Sequence, residues 1–540
     1  MNNQNNSFLD KKTVLAAILV MALLMGWQSY LKHKYPNPPA ATTEQTQKET
    51  TSPTEKSTAA APQKTEERTV VAASTNQQKE EKLFKFENAQ TTFQITSRGM
   101  GLKDLVLKNH TDRQHQPMRL GNSDKHSLFE MAVMGSATPL DFTVTQKGEN
   151  EFEGLAQYGS SQIRRSIKVN PETNAIENQV FVEPMEASFP GLVVNIAEKS
   201  MGEIAHSMLM PSFELQEFAV VHSGTEERLI VSSAKEKIDK TFPNVSILGI
   251  SSQYFTSSIL DKSEITPEAR TEGGKETPEL LAQLAYKPAL QGKNSMELKW
   301  VAYSGGKSLP ILEKIDRDFS KVLDLGFFAT LGRWLLYTMQ WFHSIIPNWG
   351  LAIILLTLMV RLLVLPLNIT TFRSTKKMQK LQPLITSLRE RYKDDPQALN
   401  RETMSLWKEH KVNPLGGCLP MLLQLPIFFA LYRVLGQSIE LYQAPFFGWI
   451  HDLSLKDPFY VLPILLAICM FVQQKTTPTT MDPNQAKIMQ FLPLIFALMM
   501  INLPAGLTLY IFINTLSGII LQQIFMHDRK TATTVKEAKA

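Results

Sequence analysis

The sequence predicts an α+β multi-domain membrane protein that combines a large antiparallel β-sandwich with six transmembrane helices. Two observations favour this class: residues 83–310 alternate apolar and polar side chains with a period of two, whereas residues 349–526 are dense in Leu, Ile, Phe and Met. A third observation is a separate apolar run near the N-terminus, at 14–31. The overall hydrophobic content of 43% averages these unlike parts. We therefore expect one N-terminal anchor helix, a sandwich domain and a core of five helices.

Composition excludes several functional classes. The 540 residues include 56 Lys+Arg and 51 Asp+Glu, and the resulting net charge of +5 is too small for a dedicated polyanion binder. The two cysteines, Cys418 and Cys469, both lie in apolar runs, so a disulfide framework is not expected. The ten histidines show no metal-ligand spacing. We therefore predict no metal and no cofactor.

The N-terminal part predicts an anchor followed by a tether. Residues 1–13 are polar and end in Lys11 and Lys12, and the apolar segment 14–31 follows without a nearby small-x-small cleavage pattern. An uncleaved signal anchor is therefore favoured over a removed signal peptide, with the lysines in the cytoplasm. Residues 32–82 are rich in Thr, Ala, Pro, Glu and Gln, which is typical of a disordered linker.

Nine or more alternating runs in residues 83–310 predict the strands of the sandwich. They are LFKFE, TTFQIT, LDFTVT, IRRSIKV, NQVFVE, LVVNIAE, VSILGI, YFTSSIL and MELKWVAYS. Gly, Pro, Asn and Asp clusters separate them, as expected for an antiparallel architecture. Acidic residues and histidines occur singly in this region, without a catalytic constellation. We therefore predict that the protein is not an enzyme.

Residues 311–348 predict a linker and an amphipathic helix that lies in the membrane interface. Its polar positions recur at intervals of three and four residues, which is the pattern of one helical stripe. They are Thr330, Arg333, Tyr337, Gln340 and Ser344. Three tryptophans, Trp334, Trp341 and Trp349, suit the level of the lipid headgroups.

The C-terminal part predicts five further membrane spans and a charged hairpin. The spans are 349–368, 416–436, 459–474, 488–503 and 505–526. Between the first two, residues 369–415 hold ten Lys/Arg and five acidic residues, whereas the loop 437–458 holds one Lys and three acids. The positive-inside rule therefore places 369–415, the loop 475–487, the tail 527–540 and both termini in the cytoplasm, and the sandwich on the opposite side.

The basic segment 369–415 reads as a helical hairpin with its bend at Asp395 and Pro396. Apolar residues favour packing of one arm on the other. They are Leu381, Leu384, Ile385 and Leu388 on the first arm and Leu399, Leu406 and Trp407 on the second. Such a hairpin could contact anionic lipid, a ribosome or a targeting receptor, or could simply be a solvated charged element.

Arg361 is the residue of chemical interest because it lies inside a predicted span. At 1.5 Å per residue it is ~18 Å from Trp349 and ~9 Å from Leu367. A guanidinium at that depth costs about 2.5 to 3.5 kcal/mol unless water or a partner reaches it. None of the six predicted spans contains Asp or Glu. Arg361 therefore needs water, lipid phosphate or a visiting group.

Two interpretations of the polar residues near Arg361 stay open. They are Thr357, Gln424, Tyr510 and Asn514. In the first, they line a wet concavity that attracts polar or acidic segments of a passing polypeptide. In the second, Arg361 merely snorkels to the interface while Gln424 and Asn514 join helices. Arg433, near the outer end of its span, is expected to snorkel.

Five sequence segments resemble the YidC/Oxa/Alb family of membrane protein insertases in its Gram-negative form. They are VRLLVLPL, KVNPLGGCLPMLLQLPIFFALYRVL, QAPFFGWIHDLSLKDPFYVLPILL, QKTTPTTMDPNQAKIMQFLPLIF and LPAGLTLYIFINTLSGIILQQ. The likeness covers about 320–526, and residues 83–310 more loosely resemble the family's large periplasmic domain, a β-supersandwich. It implies a multi-pass protein of the bacterial inner membrane that inserts and helps fold other inner-membrane proteins.

The resemblance also implies a site and partners. The family's hydrophilic groove, open to the cytoplasm and to lipid, would contain Arg361 with Thr357, Gln424 and Tyr510. Implied partners are nascent inner-membrane proteins, the Sec translocon with its accessory subunits, the ribosome, the signal recognition particle receptor and membrane lipids. Ile511 departs from the pattern, because relatives carry a second tyrosine there. The short tail is only mildly basic, which weakens the expected ribosome contact.

Two alternative functions remain. A polytopic solute transporter predicts titratable groups in several spans and an internal helix repeat, and neither is visible in the sequence. A sugar-binding or sugar-modifying sandwich with a membrane anchor would not need five additional spans. A likeness of fold does not by itself imply that activity.

Overall fold

The computed structural model describes residues 80–526 except for 187, 203–213, 232–235, 275, 289–293, 394, 411–418, 477–497 and 499. The predicted anchor (14–31), nearly all of the linker (32–82) and the tail (527–540) lie outside the described residues. The same is true of most of the predicted span 488–503.

Eighteen strands of the described residues form three antiparallel sheets. The first sheet has the order β1-β2-β3-β4, the second β13-β16-β17-β10-β5 and the third β12-β11-β14-β15-β18-β9-β8-β7-β6. The strands are β1 Leu83–Glu87, β2 Thr91–Thr96, β3 Leu102–Thr111, β4 Pro117–Leu120, β5 Glu130–Val133, β6 Thr143–Gly148, β7 Glu151–Tyr158, β8 Ser161–Val169, β9 Ile176–Glu183, β10 Leu192–Lys199, β11 Gln216–His222, β12 Thr225–Ile230, β13 Ile238–Phe242, β14 Val245–Ser252, β15 Phe255–Asp261, β16 Glu268–Gly273, β17 Glu279–Tyr286 and β18 Met296–Gly306.

The predicted sandwich is confirmed, and each of the nine predicted runs overlaps a strand. Alternation explains the core: in β8 the side chains of Ile163 and Ile167 are fully buried, whereas the residues beside them face outward or are partly exposed. Nine strands were not among the quoted runs. One of them, β17, reads ELLAQLAY, whose Leu, Ala, Gln and Glu also favour a helix. Its pairing with β10 and β16 decides in favour of the strand.

The helices follow the sandwich in the chain. They are α1 Leu309–Ile315, α2 Ala329–Ile345, α3 Trp349–Arg391, α4 Pro396–Glu409, α5 Leu419–Gln437, α6 Val461–Thr476 and α7 Ala505–Met526, with 3₁₀ turns at Asp318–Val322 and Ile439–Leu441.

Helix α3 differs from the predicted division into a span and a separate hairpin arm. It continues without a break for 43 residues from Trp349 to Arg391. At 1.5 Å per residue its length is ~64 Å, about twice the ~30 Å hydrocarbon thickness of a bilayer. The boundary predicted at 368/369 is therefore not a helix end. The residues after it, rich in Lys, Leu, Gln and Arg, favour helix and extend the element.

The predicted packing of the hairpin is confirmed for Leu381, Ile385, Leu406 and Trp407, whereas Leu384 is 44% exposed. The Asp395 side chain accepts hydrogen bonds from the backbone N–H groups of Gln397 and Ala398, and so begins α4 at the predicted bend. A small apolar cluster then joins α3 to α4. Its members are Leu381, Ile385, Met378, Leu406 and Trp407.

Length and composition identify two described helices that could cross a membrane, Trp349–Arg391 and Ala505–Phe525. Val461–Thr476 is apolar but shorter. The count of six spans therefore stays a prediction, and two of the six lie wholly or mostly outside the described residues.

Helix α2 is the predicted amphipathic helix, and its polar stripe binds neighbouring elements. Arg333 donates to the Ser320 hydroxyl at 3.1 Å, and Gln340 donates to Glu440 at 3.0 Å. Tyr337 donates to Glu313 of α1. The side chains of Trp334 and Trp341 stay exposed on other faces. Placement of α2 flat in the membrane interface remains a prediction.

One continuous apolar core joins the sandwich to the helices. Val221, Ile247 and Leu260 of the nine-stranded sheet belong to the same buried cluster as Leu335 of α2 and Leu356 of α3. The loop after α5 also reaches the sandwich, since Gln443 donates to the Thr111 carbonyl at 3.0 Å. The two parts are therefore packed together rather than only tethered.

Candidate functional site

Arg361 lies where α3 packs against α7, and α6 packs on α7 nearby. Gly518 of α7 makes room for it: a Cβ atom at that position would lie 2.9 Å from Arg361 Nη2, closer than real side chains approach. The amide of Gln473, from α6, lies 3.8 Å from the same point. Groups of α3, α6 and α7 therefore lie close to the guanidinium.

The hydrogen bonds of Arg361 leave most of its capacity unused. Its Nη2 donates to the backbone carbonyl of Asn514, which also accepts from the Ser517 hydroxyl at 3.0 Å. Its Nε is buried and has no acceptor among the residues that the structure describes. No carboxylate in the described part of the chain forms an ion pair with it. A guanidinium has five N–H donors, so several remain for water or a ligand.

Tyr510 adds a second unsatisfied polar group near Arg361. Its side chain is 1% exposed, and its hydroxyl makes no hydrogen bond of normal geometry within the described residues. The Gln424 side chain lies close enough for a weaker hydrogen bond to this hydroxyl, and Arg361 is also near it. Buried polar atoms in native proteins nearly always have a partner. The Tyr510 hydroxyl and the Arg361 Nε are therefore two neighbouring atoms that could form hydrogen bonds with water or a ligand.

The structure brings four of the five predicted site residues together: Arg361, Gln424, Tyr510 and Asn514. Asn514 contributes its backbone carbonyl rather than its side chain. Thr357 differs, because it is buried and its hydroxyl donates to the Ile353 carbonyl of its own helix at 2.7 Å. That bond is the usual way for a threonine to satisfy itself inside a helix.

Sequence reasoning missed Gly518, Gln473 and Ser517. Gly518 interrupts an apolar helix, and a glycine at such a place can mark a close approach by another group. Gln473 lies at the end of a predicted span, where a polar residue is unremarkable. Nothing in the local sequence links these residues to Arg361. Only the packing of α3, α6 and α7 does so.

Arg433, which the sequence predicts to snorkel, has an acidic partner in the structure. Its Nη1 lies 3.3 Å from Asp324 Oδ2, and the two form an ion pair. Asp324 precedes α2 and lies outside the predicted spans. The sequences of the spans alone therefore do not reveal an acidic partner for Arg433. Gly326 has a φ of +70°, and Arg433 Cγ lies 3.4 Å from the Cβ position there, so the turn is built closely around the arginine.

A separate group of buried charges lies where the sandwich meets the helices. Arg228 pairs with Glu217 at 2.8 Å and also donates to the Val322 carbonyl at 2.9 Å. Lys307 is 1% exposed, and its amine has no hydrogen-bond partner in the described chain. Burial lowers the pKa of this amine to about 8, and Glu217 and Asp324 oppose that shift.

Comparison with known proteins covers both parts of the chain. The family described as YidC periplasmic domain matches residues 83–338, and the family described as 60Kd inner membrane protein matches residues 341–533. The membrane protein insertase YidC of Anaeromyxobacter sp. (strain Fw109-5) is 34% identical over 487 residues, which are 85% of this chain and 87% of that protein. The YidC of Geobacter sp. (strain M21) is 47% identical over 230 residues, 43% of each chain.

Two solved structures show different extents of similarity to this chain. A crystal structure of an active YidC insertase with the first transmembrane domain resolved covers 83% of this chain and 93% of its own, with 19% identity and a TM-score of 0.38. A galactose mutarotase-like protein from Lactobacillus casei ATCC 334 covers 41% of this chain and 100% of its own, with 11% identity and a TM-score of 0.27.

These matches define an inner membrane protein whose β-sandwich is a periplasmic domain. The chain belongs to the YidC family of membrane protein insertases.

Proposed function

We propose that this protein inserts inner-membrane proteins and helps them fold, alone or with the Sec translocon, by receiving their polar segments in a hydrophilic groove centred on Arg361. The observation that carries the proposal is the unused donor capacity of Arg361. It has one hydrogen bond to a backbone carbonyl, a buried Nε without an acceptor and no carboxylate partner among the described residues.

The electrostatics favour transient binding over permanent pairing. An acidic or polar group of a client loses hydration as it enters the membrane, which costs several kcal/mol if nothing replaces the water. Pairing with a cation in a medium of low dielectric constant offsets part of that cost. A resident carboxylate would compete with the client. Its absence from the described surroundings of Arg361 therefore suits a site that must bind and release.

The outer faces of the helices suit the apolar part of a client. Leu362 and Leu363 follow Arg361 directly, and their side chains are 66% and 62% exposed. Ile468 of α6 and Ile524 of α7 are also exposed. A client could thus leave its polar segment beside Arg361 while its apolar segment enters lipid along these faces.

The same proposal includes the topology and the partners. The basic hairpin formed by α3 and α4 would lie in the cytoplasm, where it would meet the ribosome, the signal recognition particle receptor and lipid headgroups. Nascent inner-membrane proteins would be the clients. A coupled solute transporter has less support, because no acidic residue of the described helices pairs with Arg361.

Complementation of an insertase-depleted strain tests the proposal. We expect Arg361→Ala to insert clients at least about tenfold more slowly, because the cation is lost, and Arg361→Lys to keep most of the activity. Arg433→Ala is the matched control, since it removes an arginine that is paired with Asp324. Full growth and normal client insertion with Arg361→Ala would defeat the specific role of this residue.

A further inference from the structure

A second layer of polar side chains lies along the same helices as Arg361. Asn368 follows Arg361 by seven residues on α3, which places both on one face of the helix. Asn368 is 7% exposed, and its Nδ2 has no hydrogen-bond partner among the described residues. On α7, Gln522 is also 7% exposed, and it donates to the Thr476 carbonyl of α6 at 3.1 Å.

The contacts between α3 and α7 show which residues of the two helices lie at the same level along the helix axes. Arg361 binds the Asn514 carbonyl, and further along the same direction Phe372 stacks on Phe525 with ring centroids 6.2 Å apart. The two helices therefore run parallel. Asn368 falls between these contacts, at the level of Gln522. The same three helices that have groups close to Arg361 thus contribute Asn368, Gln522 and the Thr476 carbonyl to the second layer.

We propose that Asn368 is a second client-binding residue of the groove, and that it donates a hydrogen bond to backbone carbonyl oxygens of an extended client segment. This inference rests on the proposed function. An amide N–H₂ without an acceptor is costly when buried, so its orphaned Nδ2 is suited to a ligand that brings an oxygen. A neutral donor recognises any peptide bond, whereas Arg361 favours acidic or strongly polar side chains.

The spacing of the two layers determines the form of the client. Seven residues of α-helix separate them by ~10.5 Å. An extended chain covers that distance with about three residues, because each residue spans about 3.3 to 3.6 Å. A helical client would need about seven. Asn368 and Arg361 would therefore hold positions three residues apart in an extended segment.

The test uses the full chain in membranes with two clients, one with an acidic translocated segment and one with a neutral polar segment. We expect Asn368→Leu to lower insertion of both clients by about fivefold, the effect of one lost hydrogen bond. Thr370→Leu, at an exposed site two residues away, is the control and should leave insertion unchanged. Arg361→Ala should impair the acidic client more than the neutral one.

Crosslinking from the two layers distinguishes client binding by Asn368 from a merely structural role. It measures which client positions lie beside each layer. Photoreactive residues at 368 and at 473, beside the Arg361 layer, should capture client positions about three residues apart. A photoreactive residue at 370 should capture little client. The melting temperature of Asn368→Leu should stay at or above that of the parent, because the substitution removes a polar group that has no partner.

The outcomes separate the two ideas. Normal insertion with Asn368→Leu, a loss of insertion that follows a lower melting temperature, or captured positions seven residues apart would each overturn the role of Asn368. If Arg361→Ala still impairs insertion in those cases, the proposed function stands. If Arg361→Ala also inserts both clients normally, the proposed function fails as well.

Discussion

Two buried arginines, one in the sandwich and one among the helices, use their donors in opposite ways. Arg165 of β8 is 1% exposed. It donates to the Gly99 carbonyl at 2.7 Å, to the Phe129 carbonyl at 3.1 Å and twice to the Asn178 side chain, and its guanidinium lies 5.5 Å from the ring centre of Trp300. Within the described part of the chain, Arg361 has one carbonyl acceptor and an Nε without a partner.

Neither arginine has a carboxylate partner among the described residues, so the absence of an acid does not by itself mark a functional site. The difference is the number of donors already in use. Arg165 fastens two loops to the sheet by their carbonyls, which is a structural role. Arg361 keeps donors available in a place close to groups of three helices. Spare hydrogen-bonding capacity, rather than charge or burial alone, therefore supports the binding role that we propose for Arg361.

The largest expected effect is the loss of the structural arginine. Arg165→Met removes one of two donors from the Gly99 carbonyl and leaves the Phe129 carbonyl and the Asn178 side-chain oxygen without their donor, so the free energy of unfolding should fall by about 3 kcal/mol or more. Urea unfolding followed by tryptophan fluorescence measures this change. Arg164→Met, at the neighbouring exposed position, is the control and should shift stability by less than about 0.5 kcal/mol. If Arg165→Met and Arg164→Met lowered the free energy of unfolding equally, Arg165 would not have the structural role described here.

Arg361→Ala should show the reverse behaviour. We expect its melting temperature to stay close to that of the parent, because only one hydrogen bond to an already satisfied helical carbonyl is lost. Insertion of an acidic client should fall by at least about tenfold, and replacing the client's acid with Asn should reduce the difference between the variants. Insertion assays on clients of both kinds check this. A drop in stability that accounts for the lost insertion would make Arg361 structural, as Arg165 is.

Lys307 is a third buried cation, and its amine has no hydrogen-bond partner among the described residues. Its folded-state pKa of about 8 lies below the usual value of 10.5. The unfolded chain therefore binds more protons between these values, so stability should rise as the pH increases from about 8 to about 10. Lys307→Met should abolish that rise and stabilise the protein by about 1 kcal/mol at pH 7. Thermal unfolding across this pH range measures both, and an unchanged pH dependence would argue against the buried, unpartnered amine.

The smallest expected effect is that of Arg433→Ala. The arginine side chain is 35% exposed and its ion pair with Asp324 has an N–O distance of 3.3 Å. Partly exposed pairs contribute about 0 to 1 kcal/mol, so the melting temperature should change little. Insertion should be normal. Loss of insertion without loss of stability would give Arg433 a role beyond this pair.

The comparison also shows what sequence patterns can and cannot predict. Alternation found strands such as β8 and β9 because one face of each is buried, and apolar runs found α3 and α7. Arg361 was found because a charge inside an apolar run has a known cost. Arg165 lies in the plainly alternating run IRRSIKV, where nothing distinguishes it from Arg164.

Contacts between distant elements were beyond sequence reasoning. The closeness of Gly518 to Arg361 and the pairing of Arg433 with Asp324 depend on helix packing, which no local pattern encodes. The sequence does not predict the full length of α3, because the charged residues after 368 indicate the end of a membrane span and not the end of a helix. Charge ends a membrane span, but Lys, Arg and Gln do not end a helix.

Site-specific crosslinking of nascent clients tests the central claim most directly. Photoreactive residues at Gln424 and at Tyr510 face the place where Arg361 has spare donors, whereas one at Leu362 faces outward on the same helix as Arg361. We expect capture of the client's polar segment from 424 and 510, capture of its apolar segment from 362, and loss of the first but not the second in Arg361→Ala. Unchanged capture of the polar segment without the arginine, or no capture at all from 424 and 510, would contradict the account.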